Sequence, residues 1–148
     1  MDKVRNPVSI LIAEDDDEFY LLMEEAMKEL AIPAPLKRFI NGEELVTYLS
    51  QGGAKGSAPG PRHCLILMDL NMPKKTGHEA LREIRAMPEL RKIPIVIMTI
   101  STDPRDITRC YDAGANSFIT KPFDFDQLLK TFEVFQQYWL ENVQLPLS

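Results

Sequence analysis

Short apolar runs alternate along this chain with longer segments whose apolar positions recur every three or four residues. The short runs predict buried strands, and the periodic segments predict amphipathic helices. The predicted strands are Val8–Ala13, Leu36–Ile40, a run from about Cys64 that ends at Asp69, Ile93–Thr99 and Ser117–Thr120. The predicted helices are Asp17–Leu30, a helix opened by Asn41–Glu44 that reaches about Leu49, Thr76–Met87, a helix that Asp103 caps and Gly114 ends, and Asp124–Leu140.

This alternation predicts an α/β fold. Parallel strands joined by right-handed crossovers carry helices on both faces, which gives a three-layer sandwich of one sheet and five helices. At 148 residues the chain has the common size of one domain, so we expect a single domain over residues 1–148 with a core at about 8–135. The Gly- and Pro-rich stretch 52–61 predicts a surface loop, most simply a tolerated insertion far from the chemistry.

The composition excludes several classes of protein. Hydrophobic residues make up 45% and charged residues 26%, so neither disorder nor a membrane class is favoured. No apolar run approaches the roughly 20 residues that cross a bilayer, and no signal-type segment follows the first residues, so we expect a cytoplasmic protein. The net charge of −5 argues against direct binding to nucleic acid. The two cysteines, Cys64 and Cys110, are expected to be reduced thiols.

Polar side chains suited to one shared reaction follow four of the five predicted strands. Glu14 and Asp15 follow the first, Asp69 ends the third, Thr99 ends the fourth and Lys121 follows the fifth. Separately, each has an ordinary explanation: a negative helix start, a turn cap, a β-branched strand end, a solvated lysine. Because the carboxyl ends of parallel strands meet at the edge where open α/β sheets bind ligands, their joint position favours a functional site.

The chemistry that fits these residues is phosphoryl transfer to Asp69. Three crowded carboxylates repel one another, so Glu14, Asp15 and Asp69 are expected to need a divalent cation, and all-oxygen ligands favour Mg²⁺. Lys121 adds a positive charge, and the hydroxyl of Thr99 can donate to a phosphoryl oxygen. Asp69 would then be the nucleophile that forms an acyl phosphate.

The set Glu14–Asp15, Asp69–Pro73, Thr99 and Lys121–Pro122 closely resembles the receiver domain of two-component response regulators, over nearly the whole chain. The resemblance implies a flavodoxin-like sheet of order 2-1-3-4-5 and phosphorylation of Asp69 by a sensor histidine kinase. It implies metal ligation by Asp15, Asp69 and the main-chain carbonyl of Asn71, with Glu14 acting largely through water. It also implies a cis peptide at Lys121–Pro122 and a phosphoacceptor that is not an enzyme, with at most slow self-catalysed turnover.

A narrower similarity extends over three further segments. Asn71–Gly77, Arg109–Asn116 and Tyr138–Pro146 are similar to the single-domain regulators that serve phytochrome-type photoreceptor kinases. This similarity implies a bacterial phytochrome as the partner kinase. A chemotaxis-type receiver or an intermediate receiver of a phosphorelay is the alternative within the family.

Two positions depart from the common receiver pattern. The switch position, three residues before the lysine, is often Tyr in the family and is Phe118 here, so the ring can move inward without a hydroxyl to satisfy. Thr99 and Phe118 are the expected switch pair. Ile100 is larger than the small residue that often follows the threonine, and we expect it to narrow access to the phosphoryl group and slow hydrolysis.

The end of the chain carries more apolar residues than a core-facing helix needs. Val134 and Tyr138 lie outside the core-facing arc, and Val143 and Leu145 follow. An apolar excess of this kind predicts an interface, so we expect a homodimer through the fourth helix, the fifth strand, the last helix and the tail 136–148. The alternative is a tail that folds back on its own domain.

Other classes of protein fit the sequence less well. Phosphatases of the haloacid dehalogenase type need an acid two residues after the nucleophile, where this chain has Asn71. A flavodoxin would need a phosphate-binding loop after the first strand, where Glu14 and Asp15 stand instead. The complete acidic set disfavours a receiver-like module that is never phosphorylated. His63 and His78 lack metal-ligand or triad spacing and are expected to have structural or solvent roles.

Overall fold

The computed structural model describes residues 8–52 and 63–146. The predicted loop at 52–61 therefore lies, apart from Gly52, outside the described residues, as do the last two residues of the predicted interface tail. The strands are β1 Val8–Ala13, β2 Leu36–Phe39, β3 His63–Met68, β4 Ile95–Thr99 and β5 Ser117–Thr120. The α-helices are α1 Asp17–Glu29, α2 Gly42–Ser50, α3 Gly77–Ala86, α4 Pro104–Asp112 and α5 Phe125–Gln136.

The five strands form one parallel sheet in the order β2-β1-β3-β4-β5, which confirms the predicted fold class. The register aligns the carboxyl ends of the central strands. Ala13 of β1 pairs with Met68 of β3, and Thr99 of β4 pairs with Thr120 of β5. The residue that follows each of these strands therefore emerges at one edge of the sheet.

Side chains alternate between the two faces of the sheet and build two apolar clusters. Ile10 and Ile12 of β1 pack with α1 and α5, whereas Leu11 and Ala13 pack with α2, α3 and Cys110 of α4. β3 is buried over Cys64–Met68, as a strand covered on both faces requires. Cys64 and Cys110 are free and buried, and burial raises the pKa of the Cys64 thiol to about 12.

Each α-helix begins at a polar cap that the local sequence supplies. Asp103 accepts a hydrogen bond from the Arg105 amide and precedes Pro104, as predicted for the start of α4. Asp16 caps α1 and Thr76 closes a capping box with Glu79 at the start of α3. These caps fix where the loops at the carboxyl edge of the sheet end.

The end of the chain differs from the single helix predicted for Asp124–Leu140. The α-helix ends at Gln136 and continues as a π-helical segment over Gln137–Asn142. Trp139 packs against the cluster between α1, α5 and the sheet. The carbonyl of Pro146 then lies 3.1 Å from Nδ1 of His63 at the start of β3, so the tail returns to its own domain. Within the described part of the chain, no helix is long and apolar enough to span a bilayer.

Candidate functional site

Three carboxylates meet at the carboxyl edge of the sheet. Glu14, Asp15 and Asp69 each offer one oxygen within 4.8 Å of the others. They meet because β1 and β3 are neighbours in register, and the amide of Asp69 donates to the carbonyl of Ala13 at 3.0 Å. Glu14 and Asp69 are buried, while Asp15 is exposed and opens the cluster to solvent. The structure therefore brings together the three side chains predicted to hold a cation.

The ammonium of Lys121 bridges two of these carboxylates. Its Nζ lies 2.8 Å from Oε1 of Glu14 and 3.0 Å from Oδ2 of Asp69. Lys121 follows β5 at the edge of the sheet, and its side chain is only 8% exposed. Its ammonium also lies 4.4 Å from the centre of the Phe19 ring, a cation–π contact. One ammonium offsets only one of three negative charges, so the cluster remains attractive to a further cation.

The electrostatics of the buried pair follow from this imbalance. Burial raises the pKa of Glu14 to about 7, against the lowering effect of its hydrogen bond with Lys121. Burial alone would lower the pKa of Lys121, but its hydrogen bond to Glu14 and the charge of Asp69 outweigh burial, so this pKa lies above its ordinary value. Lys121 therefore stays charged while Glu14 is poised between its two protonation states near neutral pH.

Backbone groups of the loop after β3 hold the other oxygen of Asp69. Its Oδ1 accepts hydrogen bonds from the amides of Leu70 at 2.7 Å and Asn71 at 3.4 Å. Gly77 closes this loop, because its amide donates to the carbonyl of Leu70 at 2.8 Å. A Cβ at Gly77 would overlap the carbonyl oxygen of Asp69, so only glycine allows α3 to begin this close to the acid.

Thr99 contributes a hydroxyl that is buried and unpaired. The residue is 0% exposed, and its Oγ1 has no hydrogen-bond partner among the described residues. Buried hydroxyl groups are normally hydrogen-bonded, and exceptions often mark functional sites. An oxygen-rich ligand above Asp69 would supply the missing acceptor. The donor set and this orphaned hydroxyl fit a divalent cation and a phosphoryl group.

The remaining predicted site residues lie on the strands and loops at or near the same edge of the sheet. Phe118 is partly buried against the cluster beneath α3 and α4, and Ile100 is 71% exposed at the start of the loop after β4. Asn71 is exposed, and its own amide is one of the two that donate to Asp69. The switch role of Phe118, the access role of Ile100 and the ligand role of the Asn71 carbonyl stay predictions.

The predicted cis peptide at Lys121–Pro122 is wrong for this structure. The described residues contain no cis peptide bond, so this bond is trans. Trans remains the lower-energy isomer before proline by about 0.5–1 kcal/mol. The Lys121 amide still donates to the carbonyl of Thr99 at 2.7 Å, and the Lys121 ammonium still reaches both acids. The trans bond is therefore compatible with the cluster.

Three supporting residues did not emerge from the sequence as parts of the site. Gly77 was identifiable only as a turn glycine, because its closeness to Asp69 is a three-dimensional property. Phe19 has the spacing of a core-facing residue of α1, which hides its contact with Lys121. Arg38 of β2 donates from Nε to the carbonyl of Glu14 at 3.0 Å, a contact between residues 24 positions apart.

Residues 10–133 match the response regulator receiver domain, so this chain belongs to that family. It is 35% identical to the response regulator Rcp1 of Synechocystis sp. over 147 residues, 99% of each chain. The solved structure of Mn²⁺-bound Rcp1 superposes with a TM-score of 0.81 at 36% identity, over 95% of this chain and 99% of its own. The phosphorylated cyanobacterial phytochrome response regulator RcpA superposes with a TM-score of 0.82 at 34% identity, over 96% of this chain and 99% of its own. A third is RPA3017, in red light signaling of R. palustris (TM-score 0.84, 26% identity, covering 96% of this chain and 99% of its own). Receiver domains bind divalent metal and act with a histidine kinase.

The raised pKa of Glu14 predicts how stability depends on pH. Between pH 4.5, the ordinary pKa of a glutamate, and about 7, the folded state holds a proton that the unfolded state has released. Raising the pH through this window therefore destabilises the metal-free protein, by about 1–3 kcal/mol in total. We expect urea denaturation in EDTA to show this loss in the wild type and not in Glu14→Gln. Both proteins contain the same histidines, which contribute equally to the two pH dependences. Equal pH slopes of the free energy of unfolding would therefore contradict the assignment of this loss to Glu14.

The close approach at Gly77 makes a second prediction. Gly77→Ala places a methyl group against the backbone of Asp69, so α3 or the loop after β3 must move. We expect a loss of about 1–3 kcal/mol in the free energy of unfolding, as for other overpacked sites. Chemical denaturation measures it, and a variant as stable as the wild type would show that α3 does not constrain the acid.

Proposed function

We propose that this protein is a single-domain response regulator that accepts a phosphoryl group on Asp69 from a sensor histidine kinase. The observation that carries the proposal is the cluster in which Lys121 bridges Glu14 and Asp69 beside the exposed Asp15. A carboxylate oxygen of Asp69 forms a bond to phosphorus, and the bond from phosphorus to the donor histidine breaks, its electron pair returning to the nitrogen. The product is an acyl phosphate.

The divalent cation in this proposal is Mg²⁺, held by Asp15, Asp69 and the main-chain carbonyl of Asn71, with Glu14 acting largely through water. The Mn²⁺-bound relative and the all-oxygen donor set support a hard cation. When bound, the cation neutralises charge on the transferring group. Lys121 and the hydroxyl of Thr99 are the protein groups that contact phosphoryl oxygens.

Two features favour a signal over a catalyst. Position 71 carries an amide and no acid, so no proton acceptor stands two residues after Asp69 to activate water. Ile100 directly follows Thr99 and is exposed, and we expect its side chain to hinder the approach of water to the phosphoryl group. We therefore expect slow turnover of the acyl phosphate, which suits a phosphoacceptor and not a hydrolase.

The switch consists of Thr99 and Phe118. A phosphoryl group adds about −1.5 to −2 charges, and each charge-assisted hydrogen bond contributes about 1.5–3 kcal/mol. Full conversion between two states from 1:99 to 99:1 needs about 5.5 kcal/mol. Bonds from Thr99 and Lys121 therefore supply much of the shift, and a binding partner completes it.

A phytochrome-type kinase is the proposed donor. The relative RcpA supports it, because RcpA is described as a phytochrome response regulator and the two chains align almost end to end. The regulator RPA3017, described in red light signaling, adds a second relative linked to light. The location that fits this pairing is the cytoplasm.

Phosphorylation of Asp69 is tested with a small donor. Wild-type protein incubated with acetyl phosphate and Mg²⁺ is expected to gain one phosphoryl group by intact mass, and EDTA should prevent it. Asp69→Asn should gain none. Asp112→Asn, which removes an exposed carboxylate from the end of α4, should behave as the wild type.

The same readout tests the partner. An autophosphorylated phytochrome-type kinase should transfer to the wild type and not to Asp69→Asn. If acetyl phosphate modified both the wild type and Asp69→Asn, the assignment of Asp69 as the phosphoacceptor would be overturned. Uptake from acetyl phosphate without transfer from the kinase would overturn only the pairing.

We further propose a homodimer through the surface of α4, β5 and α5, with residues 8–135 as the receiver core and 136–148 as an extension. Tyr111 on α4 is 48% exposed, and Val134 and Tyr138 are 64% and 53% exposed. These are large apolar side chains on neighbouring elements at the same edge of the sheet. The tail returns to its own domain at Pro146, so α4, β5, α5 and the π-helical segment that contains Tyr138 carry this proposal.

The dimer is tested by two substitutions that introduce charges at the proposed centre of its interface. Val134→Glu combined with Tyr138→Glu should yield a monomer in sedimentation velocity, because both side chains are exposed in the single chain and both charges would be buried in the dimer. Leu21→Glu, on an equally exposed position of α1, is the matched control and should remain dimeric. A wild-type monomer, or an unchanged dimer in the double variant, would refute the interface.

A further inference from the structure

Arg38 is a half-buried arginine that contacts the acid cluster from outside. It lies on the edge strand β2, where it pairs with Ile12 of β1. Its Nε donates to the carbonyl of Glu14 at 3.0 Å, and its guanidinium lies 2.8 Å from a carboxylate oxygen of Asp17. The guanidinium also stacks 4.6 Å from the centre of the Tyr20 ring. Nη2 forms no hydrogen bond among the described residues, so the bond from Nε and the ring contact orient the planar group, and Asp17 adds charge attraction.

Arg38 donates its hydrogen bond to the peptide unit that precedes Asp15. The carbonyl of Glu14 belongs to the peptide that joins Glu14 to Asp15, so its orientation sets where Asp15 stands. The amide of Glu14 is fixed by the carbonyl of Phe39 at 2.9 Å, and its side chain by Lys121. Asp15 is exposed, so packing does not hold its carboxylate in place, and the backbone must position it.

We propose that Arg38 is a positioning residue for divalent-cation binding: by fixing the Glu14–Asp15 peptide, it holds the carboxylate of Asp15 within reach of Glu14 and Asp69. The inference rests on the proposed metal site. Partners of metal ligands are commonly hydrogen-bonded in this way, and their loss typically weakens metal affinity by about 10–100-fold.

The charge of Arg38 and its hydrogen bond to the Glu14 carbonyl predict opposite effects on the affinity for a divalent cation. A guanidinium beside an acidic cluster repels a cation, so its removal should tighten metal binding if only Coulomb forces mattered. If the bond to the Glu14 carbonyl positions Asp15, removal should weaken binding instead. The sign of the change separates the two roles.

The experiment measures Mn²⁺ binding by isothermal titration calorimetry in the absence of any phosphodonor. In Arg38→Met, which lacks both the charge and the donor, we expect the Kd to rise about tenfold. In Arg38→Gln, an amide nitrogen stands at the same position along the side chain as Nε, without the charge. We expect this variant to recover affinity to within about threefold of the wild type, a smaller change than the loss typical of a missing ligand partner.

Controls separate positioning from folding and from the metal site itself. Arg105→Met removes an exposed arginine paired with Asp103 and should leave the Kd unchanged. Thermal denaturation in EDTA shows whether each variant folds, and affinities are compared at a temperature at which all are folded. Arg38→Met that binds as tightly as the wild type or tighter, or Arg38→Gln no better than Arg38→Met, would overturn the positioning role. Wild type that binds Mn²⁺ no better than Asp69→Asn would overturn the metal site and this inference with it.

Discussion

The ion pair of Lys121 with Glu14 and Asp69 is the interaction on which the rest of the site depends. Two carboxylates that are 2% and 6% exposed would be prohibitive at the edge of an apolar sheet without a partner charge. The parallel topology supplies that partner, because it brings the end of β5 to the same edge as the ends of β1 and β3. The compensation is incomplete, since one ammonium faces three acids. The fold therefore stabilises a site that still favours positive charge.

The incomplete compensation of charge also explains why polar groups at this edge of the sheet can still interact with a ligand. Glu14 has a pKa of about 7 because burial opposes its charge more strongly than Lys121 supports it. The hydroxyl of Thr99 is buried without an acceptor. Each of these costs stability in the unliganded protein, and each is relieved by a ligand that brings positive charge or oxygen acceptors. A site of this kind is organised before its ligand arrives.

Local patterns in the sequence were sufficient for the strands, for their parallel arrangement and for the residues at their ends, whereas the strand order came from the family resemblance. Buried parallel strands have continuous apolar runs, so their ends, and with them Asp69 and Thr99, were visible without a structure. The π-helical segment at Gln137–Asn142 was not, because its apolar spacing continues that of α5. The trans bond before Pro122 contradicts the cis isomer that the family resemblance implied. The contact of Arg38 with Glu14 was missed because it depends on how distant strands pack, which no short window of sequence contains.

Hydrogen bonds connect the ends of β4 and β5 to the first turn of α4. The amide of Lys121 donates to the carbonyl of Thr99 at 2.7 Å, and the hydroxyl of Thr120 donates to the carbonyl of Ser101 at 3.3 Å. Ser101 in turn donates to Asp106 in the first turn of α4 at 2.5 Å. Among the α-helices, α4 buries a single side chain, that of Cys110, whereas each of the others buries three. Because apolar burial resists displacement, a displacement of Thr99 and Ser101 would move α4 at a lower cost in free energy than any other helix.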